Sequence, residues 1–137
     1  MNSEFELIDL FNQIGSKYYK ENGVVVPPGD DCAVFESKKE IVTSVDASVE
    51  GIHFLKDTAA QDIAYRSIAI AISDIAAMGC NPLAFSLSVT SPSQDREWFE
   101  DFARGTHQIS NQFDFAVIEL LLVQQSPRND HYVDKRQ

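Results

Sequence analysis

Residues 58–90, TAAQDIAYRSIAIAISDIAAMGCNPLAFSLSVT, contain a helical pattern followed directly by a strand pattern. Thr58 and Gln61 have the spacing of a capping box, and Gly79 can end a helix, so this stretch predicts a long helix. Because the helix is apolar nearly all round, we expect it to be central and buried. From Pro82 to Thr90 apolar residues alternate with small and polar ones, which indicates a strand with one buried face.

Two further helices are predicted on either side of this stretch. Glu4 to Ile14 has near-helical spacing of apolar residues, and Gly15 can end that helix. The residues of its expected apolar face are Phe5, Ile8, Leu10, Phe11 and Ile14. Ser93 is expected to cap a second amphipathic helix, whose apolar residues are Trp98, Phe99, Phe102 and Ile109.

The remaining strands are predicted by short β-rich runs. Cys32–Phe35 and Glu40–Asp46 are expected to be two strands joined by a polar turn, and Phe115–Ile118 to be another. Residues 16–31 are expected to form a loop. These patterns predict an α+β fold of about four strands in one mixed or antiparallel sheet, with the two longer helices packed on one face.

Composition excludes several classes of protein. The 137 residues suit one ordinary domain, and acidic residues outnumber basic ones 21 to 11, for a net charge of −10, which argues against nucleic-acid binding. No segment suits a membrane span or a signal peptide, so we expect a cytoplasmic protein. Cys32 and Cys80 belong to no CxxC or Cys/His cluster, so they are predicted to be reduced, buried thiols rather than zinc ligands.

Carboxylates occur in unusual places and suggest a cation site. Asp30 and Asp31 follow a Pro-Pro-Gly turn, Asp46 ends the run EIVTSVD, and Asp74 lies among apolar residues of the predicted central helix. A buried, unpaired Asp74 would cost several kcal/mol, so it needs a cation, donors or a solvent-filled cleft. Two alternatives remain for Asp74: it could pair with a Lys or Arg, or lie near the helix end and face water. Asp30 or Asp31 could instead be a turn or cap residue. Together these acids favour a magnesium site shared with a phosphate substrate.

His53 is the other candidate polar residue. Gly51 before it suggests a loop, where an exposed imidazole could donate a hydrogen bond to a phosphate or carboxylate, although a buried core histidine is the alternative. The sequence has no P-loop, GxGxxG or GxSxG motif, so any nucleotide must be bound in another way.

The motifs GDDCAVF, VTSVDASVEGIHF and DIAYRSIAIAISDIAAMGCNPLAFSLSV, in this order, resemble the N-terminal domain of the thiamine-monophosphate kinase family. That family belongs to the aminoimidazole-ribonucleotide-synthetase-like superfamily. The resemblance covers about residues 4–118 and implies ATP-dependent phosphorylation of thiamine monophosphate to thiamine diphosphate. It also implies Mg²⁺ and ATP as cofactor and phosphoryl donor, and a homodimer whose sheets join across a two-fold axis.

The resemblance assigns roles to the candidate residues. Family metal ligands match Asp31, Ser44, Asp46 and Asp74, with Asp30 the less certain member of its pair, and His53 matches a position that contacts the thiamine phosphate. No catalytic side chain is implied, because transfer between two polyphosphates needs positive charge between them more than a strong base.

Two departures from the family pattern bear on activity. Val45 stands where the family has Thr, and the family's Gly-Gly-Asp-Thr motif does not follow the strand at Phe115–Ile118. Residues 1–118 are therefore predicted to be the metal- and ATP-binding domain, and residues 119–137 a divergent, disordered tail without the family's C-terminal domain. The alternatives are another phosphoryl-transfer enzyme of the superfamily, or a non-catalytic nucleotide-binding or dimerisation module.

Overall fold

The computed structural model describes residues 4–26, 32–92 and 95–124, apart from the side chains of Val26 and Gln124. Three helices and four strands alternate in this part of the chain, which confirms the α+β class. In chain order the elements are α1 (Glu4–Asp9), β1 (Val24–Val26), β2 (Val34–Phe35), α2 (Ala60–Ala77), β3 (Ala84–Ser91), α3 (Arg96–Phe113) and β4 (Ala116–Gln124), with a short 3₁₀ turn at Ser16–Tyr18 between α1 and β1.

The strands form two separate pairs within the described residues. Strands β1 and β2 pair antiparallel, and β3 and β4 pair parallel, joined through α3. A parallel pair requires a crossover connection, and α3 supplies it. The single four-stranded sheet expected from the sequence is therefore not found in the described part of the chain, and β1 lies inside the segment expected to be a loop.

The strand predicted at Glu40–Asp46 is wrong, because residues 40–49 have no regular secondary structure. The polar turn before it does form: the Ser37 hydroxyl both accepts from the Lys39 N–H at 3.3 Å and donates to its carbonyl at 2.9 Å. Strand β2 pairs with β1 instead of with the following residues. A β-rich sequence becomes a strand only where another strand supplies hydrogen-bond partners. No described strand lies beside residues 40–46.

Helix α1 is shorter than expected, and the N-terminal segment of residues 4–14 buries a different set of side chains. It ends at Asp9, and the chain continues through turns to Gly15. Leu7, Phe11 and Ile14 are fully buried, whereas Phe5 is 79% exposed. The buried three follow i, i+4, i+7 spacing, so the apolar stripe includes Leu7 and excludes Phe5.

Helix α2 is buried on one side only. Ala60, Ile63, Ala64, Ile68 and Ile72 face the core, while the opposite side is exposed. The prediction of a central helix buried all round is therefore wrong: the apolar residues on the outer side, which include Ile70 and Met78, are exposed. The helix ends as predicted, because Gly79 adopts a φ of 73° and its N–H donates to the Ala76 carbonyl.

The start of α2 is capped from another helix. Its N-cap is Ala59, which offers no side-chain acceptor, so the capping box predicted at Thr58 does not form. Instead the Asp101 carboxylate of α3 accepts a hydrogen bond from the Gln61 N–H at 3.0 Å. Asp101 also pairs with Arg104 at 3.0 Å. One carboxylate thus satisfies a free N–H of α2 and holds α2 against α3.

Side chains from both helices cover one face of the β3–β4 pair. Phe85, Leu87 and Val89 of β3 alternate with exposed Ser86 and Ser88, as the sequence predicted. The core cluster that contains Val89 also includes Leu7, Phe11, Ile63, Ala64, Phe99, Phe102, Ala103 and Val117. Helix α3 begins at an N-cap, Asp95, whose side chain accepts from the Glu97 N–H. Ser93, the expected cap, lies outside the described residues.

Strand β4 continues beyond the expected domain boundary. It runs to Gln124, so Leu120 and Leu122 belong to a strand and pack against the core. The remainder of the predicted tail, residues 125–137, lies outside the described residues.

Replacing Asp101 with alanine should lower the free energy of unfolding by about 1 kcal/mol at pH 7, the usual effect of losing a helix cap. The Gln61 N–H, and then the Arg104 guanidinium, lower the pKa of Asp101 below its ordinary 3.8. A carboxylate with a lowered folded-state pKa stabilises the fold above that value and loses the contribution as pH falls through the folded pKa. Urea unfolding of the unaltered protein and of Asp101→Ala should therefore show a difference in the free energy of unfolding. That difference should narrow as the pH falls below about 3.8.

The matched control for this experiment is Glu21→Ala, an exposed acidic position. It should change stability by less than about 0.5 kcal/mol. A constant difference between Asp101→Ala and the unaltered protein across the acid range would contradict the capping role.

Candidate functional site

Three of the predicted site residues lie together at the outer side of α2. Asp74 projects from the C-terminal half of the helix, and the Ser44 hydroxyl donates to its Oδ2 at 3.3 Å. Asp46, from the same irregular segment as Ser44, lies within hydrogen-bonding reach of Asp74 when one of the two carboxyl groups is protonated. The segment at residues 40–49 thus brings a hydroxyl and a carboxyl group to a carboxylate about 30 positions further along the chain.

The two carboxyl groups are close enough to affect each other's ionisation. The hydrogen bond with Asp74 raises the pKa of Asp46, and a small loss of hydration and repulsion from the Asp74 charge act in the same direction. Two carboxylates that share a site cannot both ionise without cost. A cation bound between them would remove this repulsion, so the pair has the electrostatics of a cation site.

The surroundings of Asp74 differ from those that the sequence predicted. Its side chain is exposed, so it does not carry the penalty of a buried charge that the apolar sequence around it suggested. Of the alternatives, facing water is the one observed: the ion pairs found among the described residues join Arg96 with Glu100 and Arg104 with Asp101. The proximity of Asp46, rather than burial, is what now points to a cation.

The donor set fits magnesium. Ser44, Asp46 and Asp74 offer oxygen atoms alone, and Mg²⁺ commonly binds one or two protein carboxylates together with substrate phosphates. In the described part of the chain no group of three or more His, Cys, Asp or Glu residues could hold a metal ion by itself. Asp30 and Asp31, the other predicted ligands, lie outside the described residues.

His53 is exposed and lies in a tight turn, as the glycine before it indicated. The ring Nδ1 of His53 accepts a hydrogen bond from the Val49 backbone N–H at 2.9 Å. The backbone N–H of His53 donates to the Val49 carbonyl at 2.8 Å. Gly51 has a φ of 79° and its N–H donates to the Phe54 carbonyl at 2.7 Å. His53 does not join Asp46 and Asp74 in a metal-ligand group.

The cysteines differ from the prediction in burial. Both are free thiols, but Cys32 is exposed and Cys80 is only half-buried. Cys80 donates weakly to the Met78 carbonyl at 3.5 Å. Among the described residues no helix has the length and apolar character needed to cross a membrane.

Comparison with known proteins shows the family to which the sequence belongs. The profile described as AIR synthase related protein, N-terminal domain, matches residues 29–124, which include the hydroxyl and carboxyl groups of the site. The chain belongs to the AIR synthase related protein family. Within that family it is similar to thiamine-monophosphate kinases, as the sequence motifs predicted.

Two curated relatives illustrate this similarity. The thiamine-monophosphate kinase of Buchnera aphidicola subsp. Schizaphis graminum is 36% identical over 118 residues, which are 85% of this chain and 36% of that protein. The Escherichia coli K12 enzyme is 38% identical over 92 residues, 66% of this chain and 28% of that one. The chain therefore spans about a third of the length of these relatives.

A solved structure has the same fold as this AIR synthase related chain. The crystal structure of thiamine-monophosphate kinase from Stenotrophomonas maltophilia K279a superimposes with a TM-score of 0.77 at 29% identity. The match covers 90% of this chain and 39% of that structure.

Sequence patterns did not reveal two contacts that shape this region. The Val49 N–H orients His53, and the Asp101 carboxylate caps the helix that carries Asp74. The first is a backbone group with no side-chain signature, although Gly51 indicated the turn. The second joins positions 40 residues apart, so no local pattern could show it.

Proposed function

We propose that this chain is the metal- and ATP-binding domain of an enzyme that phosphorylates thiamine monophosphate to thiamine diphosphate at the expense of ATP. The observation that carries the proposal is the hydroxyl and carboxyl cluster of Ser44, Asp46 and Asp74 in a chain of the AIR synthase related family. The similarity to thiamine-monophosphate kinases supports the choice of acceptor.

The side chains of the cluster have a binding role in this reaction. Asp46 and Asp74 supply negative charge close together, and Ser44 orients Asp74 by donating to one of its oxygens. Magnesium, when bound there with the nucleotide, would neutralise charge on phosphoryl oxygens. Asp30 and Asp31 are proposed as additional ligands on sequence grounds alone.

The acceptor's phosphate is proposed to bind at His53. The ring is exposed and held by its own turn, so it is available to a ligand without a rearrangement of the chain. Since no strong base is required for transfer between phosphates, no side chain is assigned to proton abstraction.

A homodimer is proposed as the assembly. Large apolar side chains of the segment between β2 and α2 are exposed, as expected for a surface covered by a second copy. They are Ile41, Val42, Val45, Val49, Ile52 and Leu55. Sedimentation equilibrium should give the mass of two chains, and a single-chain mass would contradict the proposal. The cytoplasm is the compartment expected for such an enzyme.

Replacing Asp74 with asparagine should weaken binding of magnesium and a non-hydrolysable ATP analogue by at least about tenfold, as loss of a group that holds a metal usually does. Isothermal titration calorimetry on the unaltered chain and the variant measures this directly. Asp62→Asn is the matched control, because it removes the same charge from an exposed position of the same helix. Its binding should remain unchanged.

The outcomes separate the candidate functions. Binding that depends on Asp74, followed by transfer of phosphate to thiamine monophosphate, supports the proposal. Binding without transfer favours the non-catalytic module, and transfer to a different phosphate acceptor favours another enzyme of the superfamily. Equal weakening in the Asp74 and Asp62 variants would mean that charge in general, rather than this cluster, attracts the cation.

A further inference from the structure

Asn22 connects the chain that enters β1 with the starts of β3 and β4. Its side-chain amide donates to the Leu83 carbonyl at 2.9 Å and to the Asp114 carbonyl at 2.8 Å. Leu83 directly precedes β3, and Asp114 lies shortly before β4. Because an asparagine amide has two N–H groups and both partners are acceptors, the whole donor capacity of Asn22 is used in this contact.

The residue that follows, Gly23, is required by the fold for a different reason. Its φ is 79°, and a Cβ at this position would overlap the Glu36 carbonyl. The Gly23 carbonyl also accepts a hydrogen bond from the Glu36 N–H at 2.7 Å, beside the β1–β2 pair. The fold therefore keeps a glycine directly after an asparagine, and this is the one Asn-Gly pair of the sequence.

An Asn-Gly pair can deamidate without an enzyme, because glycine has no side chain to hinder attack by its backbone nitrogen. The Gly23 nitrogen would form a bond to Cγ of Asn22 and close a succinimide ring. The Cγ–Nδ2 bond breaks, and ammonia leaves with the proton of the Gly23 N–H. Water then opens the ring at either carbonyl and gives aspartate or isoaspartate. The reaction consumes one water, releases one ammonia and adds one negative charge.

We infer that Asn22 is a site of spontaneous deamidation, kept unreactive by the carbonyls of Leu83 and Asp114 and released when residues 22–26 detach from β3 and β4. While both amide N–H groups are hydrogen-bonded, the side chain is not free to rotate into the geometry that closes the ring. The nitrogen that must leave is also held in place. The rate of modification is therefore set by how often these two hydrogen bonds break.

The β1–β2 pair is a segment in which such opening is easy. Strand β1 has three residues and β2 has two, and a two-stranded pair of this size has little stability of its own. Val25, Val34 and Phe35 are exposed, so few apolar contacts hold the pair against the remainder of the chain. Segments with few buried contacts open locally at a lower free energy than the core does.

The modified chain cannot return to the same arrangement. A carboxylate has no donor, so the product would place a negative charge against the Leu83 and Asp114 carbonyls instead of two N–H groups. Isoaspartate also lengthens the backbone beside the hydrogen bond between Gly23 and Glu36. Deamidation thus makes a local, reversible opening permanent.

The first test follows the modification of the unaltered chain at mildly alkaline pH, by peptide mapping with mass spectrometry and by enzymatic methylation of isoaspartate. Asn22 should deamidate at least about tenfold more slowly in the folded chain than in guanidinium chloride, the protection that two ordinary hydrogen bonds supply. Asn12 and Asn111, each followed by glutamine, are controls in the same sample and should remain intact. Equal rates for Asn22 in both conditions, or equal modification of all three asparagines, would overturn the inference.

The second test uses variants that imitate the product. Asn22→Asp should lower the midpoint of urea unfolding more than Asn22→Ala, because both lose the two donors and only the carboxylate adds repulsion from the facing carbonyls. Asn111→Asp is the matched control: Oδ1 of Asn111 accepts from the Tyr18 hydroxyl at 3.4 Å, and a carboxylate can accept in its place. Its midpoint should be unchanged. An Asn22→Asp variant as stable as the unaltered chain would contradict the irreversible step.

Discussion

Replacing Phe11 with alanine should lower the free energy of unfolding by about 4 kcal/mol, the usual result of emptying a buried aromatic site. Phe11 is fully buried, and its ring lies 6.1 Å from that of Phe102 in α3. The loss removes both apolar burial and the contact that joins the N-terminal segment to the helix pair. Because domains of this size are stable by only about 5–15 kcal/mol, urea unfolding should show a large shift of the midpoint.

Phe5→Ala is the matched control for this experiment. The sequence pattern placed Phe5 and Phe11 on the same apolar face, but Phe5 is 79% exposed in the structure. Its removal should change stability by less than about 0.5 kcal/mol. Similar losses from both substitutions would mean that the N-terminal segment packs in the register suggested by the sequence and not in the one described here.

Gly105→Ala in α3 should lower the free energy of unfolding by about 3 kcal/mol, the upper part of the range for overpacking. At an exposed helical position this substitution would stabilise the protein by up to about 1 kcal/mol, so the expected effect has the opposite sign. The cause is that a Cβ on Gly105 would overlap the backbone carbonyl of Gln61 in α2. That atom belongs to a helix and cannot move aside as a flexible side chain can.

Gln108→Ala provides the control, since it lies at an exposed position of the same helix and should change stability by less than about 0.5 kcal/mol. The Gly105 variant should also weaken binding of magnesium and the ATP analogue, because α2 carries Asp74 and its position depends on this crossing. A neutral or stabilising effect of Gly105→Ala would show that the two helices are not in contact at Gln61.

The helices and the strand β3 could be predicted from the sequence because their signals are local. The alternation at Phe85, Leu87 and Val89, and the glycine after α2, act within a few residues of the features that they specify. The pairing of strands could not be predicted in the same way. The run at residues 40–46 has the composition of a strand but no described partner, whereas β1, within a predicted loop, has one.

The candidate site, too, could be predicted only in part from the sequence. The sequence selected Ser44, Asp46 and Asp74 through their resemblance to a family and through the apolar surroundings of Asp74. Only the structure shows that Ser44 and Asp46 reach Asp74, and that Asp74 is exposed rather than buried. The test of a cation site therefore rests on a pair of carboxyl groups and no longer on the cost of a buried charge.

The sequence by itself determined the α+β class, the two long helices and the family, because periodicity, helix ends and ordered motifs are properties of neighbouring residues. The tertiary structure decided which face of each helix is buried, which strands pair, and that Asp101 rather than Thr58 caps α2. These features depend on contacts between residues distant in the chain. Such contacts form only where the packed elements bring partners together, and no local pattern encodes them.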